Sequence, residues 1–425
     1  MSVQATPAKQ TSPLLAAFIA VTTLFFAWGF ITSMNDPLIP AVKAIFRLSY
    51  AESLLTQFAF FIAYGVVSIP GSTLVGRVGY IRAIVIALCA MILGCLFIPL
   101  ATQLESYAIV LVALFIIASG ITVLQVAANP LCAMLGSPER SHFRLTLSQA
   151  FNSLGTVLGP LLGTELMLSG GLFAEQDAAI DVVATRQHSV HSVDTAYFLM
   201  AGLLTILLLF VWRMRHHFAS FAQPHPVAIR EALRSRWALL GACAIFFYVG
   251  AEVTVASVMI NFLHQPDILG VSMERAGWLL AFFYWGGAMA GRFAGSYLLT
   301  RFSAPRLLAC AASAAALLCF AVSQTSGLVA AVAALSVGVF NSIMFPVIFT
   351  VTLERSNAAA ESTSGLLCVA IVGGALLPPL VGKIADSVGL HAGYFVPSIA
   401  YAIVAAIAFA ASQAYRARAP TVQAL

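Results

Sequence analysis
Long apolar runs, broken at intervals by charged or turn-forming residues, dominate the hydrophobic pattern of the chain. Taken between those breaks, they predict twelve helices at approximately 14-45, 51-75, 81-102, 107-136, 144-171, 194-214, 237-263, 274-300, 305-325, 328-353, 362-388 and 391-414. Several runs exceed the ~18 apolar residues that cross a bilayer, so the elements read as membrane spans. Six lie on each side of the longest polar stretch between neighbours, which carries Arg213, Arg215, Arg230, Arg234 and Arg236. The expected organisation is a six-helix bundle over 1-214, a linker over 215-236 and a second six-helix bundle over 237-425.

The halves repeat one another. After span 2 the chain reads G-S-T-L-V-G-R-V-G-Y-I-R (Gly71 to Arg82), and after span 8 it reads G-S-Y-L-L-T-R-F-S-A-P-R (Gly295 to Arg306). In spans 5 and 11, Gly155, Leu158, Pro160, Leu161 and Gly163 fall on Gly374, Leu377, Pro379, Leu380 and Gly382. Spans 4 and 10 each place an amide five residues before a proline, Gln125/Pro130 and Asn341/Pro346. Each match joins span n to span n+6. A duplicated six-helix unit joined by a basic linker is the architecture of major facilitator transporters, whose halves rock about a midplane site. The expected fold is therefore an all-α integral membrane protein of 12 transmembrane helices in two pseudo-symmetric bundles. The acidic residue usual in that superfamily's loop is missing, with Gly76 and Thr300 near its place.

Composition narrows the function. Hydrophobic residues make up 61% and charged residues 9%, against about 45–50% and about 25% in soluble domains. So few charges cannot cover a water-facing surface. The net charge of +5 is spread over short loops, which excludes nucleic-acid binding as a main role. With the N-terminus inside, fifteen basic residues (Lys9, Arg77, Arg82, Arg140, Arg144, the five in the linker, Arg301, Arg306, Arg355, Arg416, Arg418) fall on the cytoplasmic side. Five (Lys43, Arg47, Arg186, Arg275, Lys383) fall opposite, so both termini are expected in the cytoplasm. The seven cysteines form no C-x-x-C pair and read as core residues, not as a disulfide or metal framework. The first apolar run outlasts a signal-peptide core and reads as an uncleaved span. No G-x-S-x-G, H-E-x-x-H or Walker A sequence occurs, so no enzyme, cofactor or metal is indicated.

Polar residues within the spans carry the candidate chemistry, because an intramembrane charge costs about 2.5–3.5 kcal/mol on insertion scales. Asp36 follows Asn35 in the outer part of the first run, with Pro37 and Pro40 just beyond. A desolvated carboxylate there could load and release a proton; capping of an outer helix end is the alternative. Gln125 and Asn129 share one face of span 4, and Gln149 and Asn152 nearly share one of span 5. Amides both donate to and accept from hydroxyls, which suits a neutral polyhydroxylated ligand. Polar contact between helices is the other reading, favoured for Asn129 and Asn152. In the second half, Glu252 and Arg292 form a candidate ion pair, Asn341 is a candidate ligand for hydroxyls, and Trp285 is a candidate stacking platform or a packing residue.

Six motifs resemble the L-fucose permease family: F-F-A-W-G-F-I-T-S-M-N-D (Phe25 to Asp36), L-Q-V-A-A-N-P (Leu124 to Pro130), H-F-R-L-T-L-S-Q-A-F-N-S-L-G (His142 to Gly155), Y-W-G-G-A-M-A-G-R-F (Tyr284 to Phe293), F-N-S-I-M-F-P (Phe340 to Pro346) and G-L-L-C-V-A-I-V-G-G-A (Gly365 to Ala375). They are most similar to its bacterial glucose/galactose transporter branch. The resemblance implies a bacterial inner-membrane monosaccharide importer, functional as a monomer, driven by a cation gradient that is generally of protons and in some relatives of sodium. Fucose permeases have an acidic residue at the position of Asp36, which is therefore the candidate for proton coupling, while the polar and aromatic residues of the spans give the candidate sugar contacts Asn35, Gln125, Gln149, Asn152, Trp285 and Asn341. Fucose permeases have a second acidic residue at the position of Gln125, so an amide there fits the hexose branch better. Other sugars of the family (fucose, mannose, fructose, N-acetylhexosamines) and proton-coupled efflux are the alternatives.

Overall fold
The computed structural model describes residues 11–34, 38, 41–42, 45–48, 50–168, 182–218 and 228–418, nearly all of them helical and, among those described, none in a strand. The spans are α1 Thr11–Ser33, α2 Tyr50–Val78, α3 Tyr80–Gln103, α4 Tyr107–Met134, α5 Ser141–Leu168, α6 Val182–Met214, α7 Arg236–His264, α8 273–298, α9 Ala304–Gln324, α10 Gly327–Arg355, α11 360–388 and α12 390–418. Lipid offers no hydrogen bonds, so each span must satisfy its own backbone. Ten spans are long and apolar enough to cross a membrane on those grounds alone. The other two, α5 and α8, depart for a reason: α5 opens on a polar stretch, and α8 is interrupted by a π-helical turn at Leu280–Trp285. Both lie between the halves. Outward-facing Ile206 and Leu317, 66% and 68% exposed, would be a liability in water and form the lipid face here.

Neighbour relations repeat with the same n+6 rule as the sequence. α1 packs on α5, α2 on α4, α3 on α4 and α6; correspondingly α7 packs on α11, α8 on α10, α9 on α10 and α12. Glycine permits the closest of these approaches. A Cβ on Gly155 would stand 2.3 Å from Phe26 O of α1, and one on Gly373 would stand 2.2 Å from Phe246 O of α7. The sequence register pairs Gly155 with Gly374, so the contact is displaced by one residue, just after the 3-10 turn Ala370–Val372 that interrupts α11.

Several expected boundaries move. The Gly71 to Val78 stretch is the last part of helix α2, and the turn is Gly79 alone, at φ +81°, a conformation that glycine adopts without strain. α6 begins at Val182, ahead of the expected 194, because hydropathy stops at the membrane edge while the helix does not. Arg186 on that extension donates to Ile45 O at 3.1 Å and to Glu105 Oε1 at 2.7 Å. α10 breaks after Asn341 and restarts at Met344. Pro346 causes this: it has no N–H, and its ring crowds the carbonyl four residues earlier, at Ser342. Cys89 and Cys310 are exposed rather than core, whereas Cys95, Cys132, Cys319 and Cys368 are buried as expected; all seven are free.

The halves meet where α2 packs on α11 and α5 on α8, two contacts that exchange under the same n+6 operation. Hydrogen bonds across this seam lie toward the linker side. Ser141 Oγ donates to Glu354 Oε1 at 2.9 Å, His142 Nδ1 lies 2.6 Å from Thr350 Oγ1, and His142 Nε2 lies 3.2 Å from Glu354 Oε1. Deeper, Ser364 Oγ of α11 donates to Val126 O of α4 at 2.9 Å. This conformation is sealed on the linker side.

Candidate functional site
The helix midpoints carry a matched pair of polar contacts. Tyr64 is the middle residue of α2, and its hydroxyl accepts a hydrogen bond from Gln125 Nε2 of α4 at 2.7 Å. In the second half the Tyr284 hydroxyl of α8 accepts from Asn341 Nδ2 of α10 at 2.9 Å. All four side chains are buried. The amides correspond in the sequence repeat, but the tyrosines do not: Tyr64 precedes Gly71 by seven residues and Tyr284 precedes Gly295 by eleven.

The paired prolines have a second consequence. Each deprives the carbonyl four residues earlier of its helical donor. For Pro130 that carbonyl is Val126 O, which Ser364 takes from the opposite half. For Pro346 it is Ser342 O, which Arg292 Nε takes at 3.0 Å. Arg292 Nη1 continues across the seam to Gln149 O at 3.3 Å and to Ser153 Oγ. Arg292 and Glu252, expected to pair, do not touch in this conformation. They are near enough for their charges to interact, with Tyr248 beside both.

Around this frame several buried polar atoms have no hydrogen-bond partner: both amide atoms of Asn129, Gln149 Nε2, Asn341 Oδ1, Glu252 Oε1 and the Tyr248 hydroxyl. Each such group costs about 1–3 kcal/mol when left without a partner, so those on the spans of this frame leave hydrogen-bonding capacity for something polar. Asn129 is thus not the helix-to-helix contact expected of it, because nothing polar from a neighbouring helix reaches it. Asn152 does act between helices, donating from Nδ2 to Phe25 O at 2.9 Å. Trp285 is 37% exposed and sits edge-on to Tyr284, ring centroids 5.1 Å apart and planes at 86°. Asn35 and Asp36 lie outside the described residues. A separate cavity of about 380 Å³ between α1 and α6, lined by Phe26, Phe30, Leu203 and Phe210 among others, is apolar and offers a sugar almost nothing to bond.

Some side chains of this frame and of the seam gave no signal in the sequence. Tyr64, Tyr248 and Tyr284 count as apolar in any hydropathy reading, and only their hydroxyl environment sets them apart. His142 and Glu354 lie far apart in the chain and meet only across the seam. Arg144, counted as a cytoplasmic loop charge, is buried and closes the end of α4, donating from Nε to Cys132 O at 3.2 Å, from Nη1 to Ser137 O at 2.9 Å and from Nη2 to Ala133 O. It satisfies carbonyls that a helix end leaves without donors.

Comparison with known proteins agrees with this geometry. The family model described as Major Facilitator Superfamily matches residues 17–367. The chain is 44% identical over 392 residues to a glucose/galactose transporter of Brucella abortus biovar 1 (strain 9-941), covering 92% of each chain. It is 28% identical over 419 residues to the L-fucose-proton symporter of Escherichia coli (strain K12), covering 93% of each. Its fold matches the crystal structure of the transporter FucP in the outward conformation with a TM-score of 0.83 at 27% identity, covering 94% of this chain and 100% of that one. With its duplicated six-helix bundles, interrupted second-half spans and midplane polar frame, the chain belongs to the major facilitator superfamily.

Proposed function
We propose that the protein imports a monosaccharide by cation symport, with protons as the coupling ion and glucose and galactose as the leading substrates. The observation that carries this reading is the buried set of neutral amides and hydroxyls at the helix midpoints, several with unfilled hydrogen-bonding capacity. A hexose presents hydroxyls on every side, and amides can both donate to and accept from them. The similarity to proteins named as glucose/galactose transporters and as fucose-proton symporters supports both the substrate class and the ion. Asp36 is assigned the coupling proton, and Gln125, Gln149 and Asn341 the sugar hydroxyls.

The linker side is the cytoplasmic side of a bacterial inner membrane, as the fifteen-to-five basic count supports. The sealed linker face then corresponds to an outward-facing state of a functional monomer in which bundles 1–214 and 237–425 rock about the site. A membrane potential supplies about 2.3 kcal/mol per charge per 100 mV, sufficient for roughly 50-fold accumulation. The deciding experiment is uptake into proteoliposomes across a sugar panel, with pH and sodium gradients imposed separately. Hexose accumulation driven by pH alone is expected; accumulation only with sodium would replace the ion, and none with any sugar would reject the reading. Asp36→Asn, which mimics the protonated acid, is expected to abolish accumulation while leaving sugar exchange intact. A single Cys at Pro224 in a Cys-free protein is expected to react with impermeant thiol reagents in inverted vesicles and not in intact cells.

A further inference from the structure
We infer that Glu252 carries a proton in the transport cycle and that Arg292 is the switch that makes it release that proton on the linker side; this rests on the symport reading above. Glu252 stands near the middle of α7, half-buried as a residue, with Oε1 fully buried and without a donor. The titratable and charged groups that face it are Tyr248 from α7 itself, Tyr284 and Arg292 from α8, and Tyr401 from α12. Tyr248 stands beside the carboxylate, but its hydroxyl makes no hydrogen bond of good geometry to it. Tyr284 donates to the main-chain oxygen of Glu252 at 3.1 Å, and the hydroxyls of Tyr248 and Tyr401 have no partner. α10 contributes the neutral Asn341 through Tyr284, and α11 faces α7 through Gly373 and Leu377.

An ionised carboxylate left so would be a partly buried charge with no contacting counter-charge, an arrangement that membrane interiors penalise. A bound proton removes the need for one. The cation that could supply it is close by but engaged elsewhere: Arg292 is held by Ser342 O within its own half and by Gln149 O and Ser153 Oγ across the seam. When the linker side opens, α5 carries Gln149 and Ser153 away, while Ser342 stays with α8 and α10. Nη1 of Arg292 then lacks an acceptor, and Glu252 is the anionic group within its field. A charge-assisted pair between them favours the carboxylate, and the proton of Glu252 leaves to water on the linker side. Glu252 thus handles the release of the one proton that crosses per cycle, downstream of the uptake proposed for Asp36. Resealing returns Arg292 to α5, and Glu252 takes its next proton from the far side, where Asp36 is proposed to load it.

The test uses full-length protein in proteoliposomes containing a pH-sensitive dye, with sugar exchange measured alongside. In wild type, sugar influx should acidify the lumen. Glu252→Gln should exchange labelled for unlabelled sugar at close to the wild-type rate, with no sugar-linked acidification and no accumulation. Glu252→Asp should retain acidification with a displaced pH profile. Ser153→Ala should free Arg292 early and let it favour the Glu252 carboxylate before opening, so the pH giving half-maximal accumulation should fall by about one unit, a hydrogen bond's worth of bias. Normal acidification in Glu252→Gln would overturn the proposal. Loss of exchange in both the Gln and the Asp variants would also overturn it, since Glu252 would then be structural or a sugar ligand. Wild-type protein that accumulates sugar without moving protons would fail the symport reading itself and take this inference with it.

Discussion

The two halves share a scaffold and differ in what it holds. Each has a proline that frees a carbonyl, an amide five residues before it, and a midspan tyrosine bonded to that amide. In the first half, the described part of this frame is neutral: Tyr64, Gln125, Asn129 and Gln149. In the second, Glu252 and Arg292 have been added, and all three spans with a midspan interruption, α8, α10 and α11, lie there. A membrane helix can break only where something else satisfies the released backbone. The interruption of α10 and the placement of Arg292 are therefore one feature, since the guanidinium takes the carbonyl that Pro346 releases. The difference is an added charged element in the second half, beside an amide frame that both halves share; Asp36, the carboxylate proposed for coupling in the first half, lies outside the described residues.

The comparison can be broken most severely at the shared scaffold. Gly155→Val and Gly373→Val should be similarly harmful, because each drives a side chain into backbone of the facing span. Overpacking costs typically about 1–3 kcal/mol, with larger values when backbone cannot yield. The yield of monodisperse protein in detergent should collapse in both; normal yield in either would show that its close approach is not real. Next come the tyrosines. Tyr64→Phe and Tyr284→Phe each leave an amide N–H buried without an acceptor, a loss of about 1–3 kcal/mol. Tyr284→Phe should lower thermal stability more, because that hydroxyl also caps Glu252 O. Equal shifts would argue that the second bond is immaterial.

The seam offers two finer tests. Ser364→Ala removes the donor to Val126 O and should favour opening of the linker side by about 0.5–1.5 kcal/mol. Thiol labelling of a single Cys at Ser72, which lies against Gly365 in the sealed state, should accelerate accordingly. The smallest effect is expected for His142→Gln. Its contact with Thr350 can be retained while the pair with half-exposed Glu354 is lost, and exposed pairs contribute about 0–1 kcal/mol. Labelling at the same site should rise only slightly, and an increase larger than that of Ser364→Ala would reverse this ranking.

Much of the architecture was legible because a bilayer leaves the chain few choices. Apolar runs long enough to cross must be helical, and matching motifs at span n and span n+6 already imply two copies of one bundle. Gln125, Asn341 and their prolines could be paired by inspection, since their spacing is identical. The tyrosines they bind could not, because Tyr64 and Tyr284 sit at different distances from the aligned glycines and look apolar in a hydropathy profile. Glu252 and Arg292 read as a candidate ion pair in the sequence, and their separation in this state depends on where Ser153 and Gln149 stand, on a helix from the other half.

By itself, then, the sequence determined the spans, the duplication, the basic linker and the short inventory of polar groups within the membrane. These follow from local composition and from the fixed cost of placing backbone and charge in lipid, neither of which needs a partner to be known. The tertiary structure decided which of those groups are satisfied and which remain open. Hydrogen bonds act over about 3 Å between atoms hundreds of residues apart in the chain. That is why Asn129 reads as a helix contact in one dimension and is left without a partner in three, while Arg144 reads as a loop charge and proves to be the cap of α4.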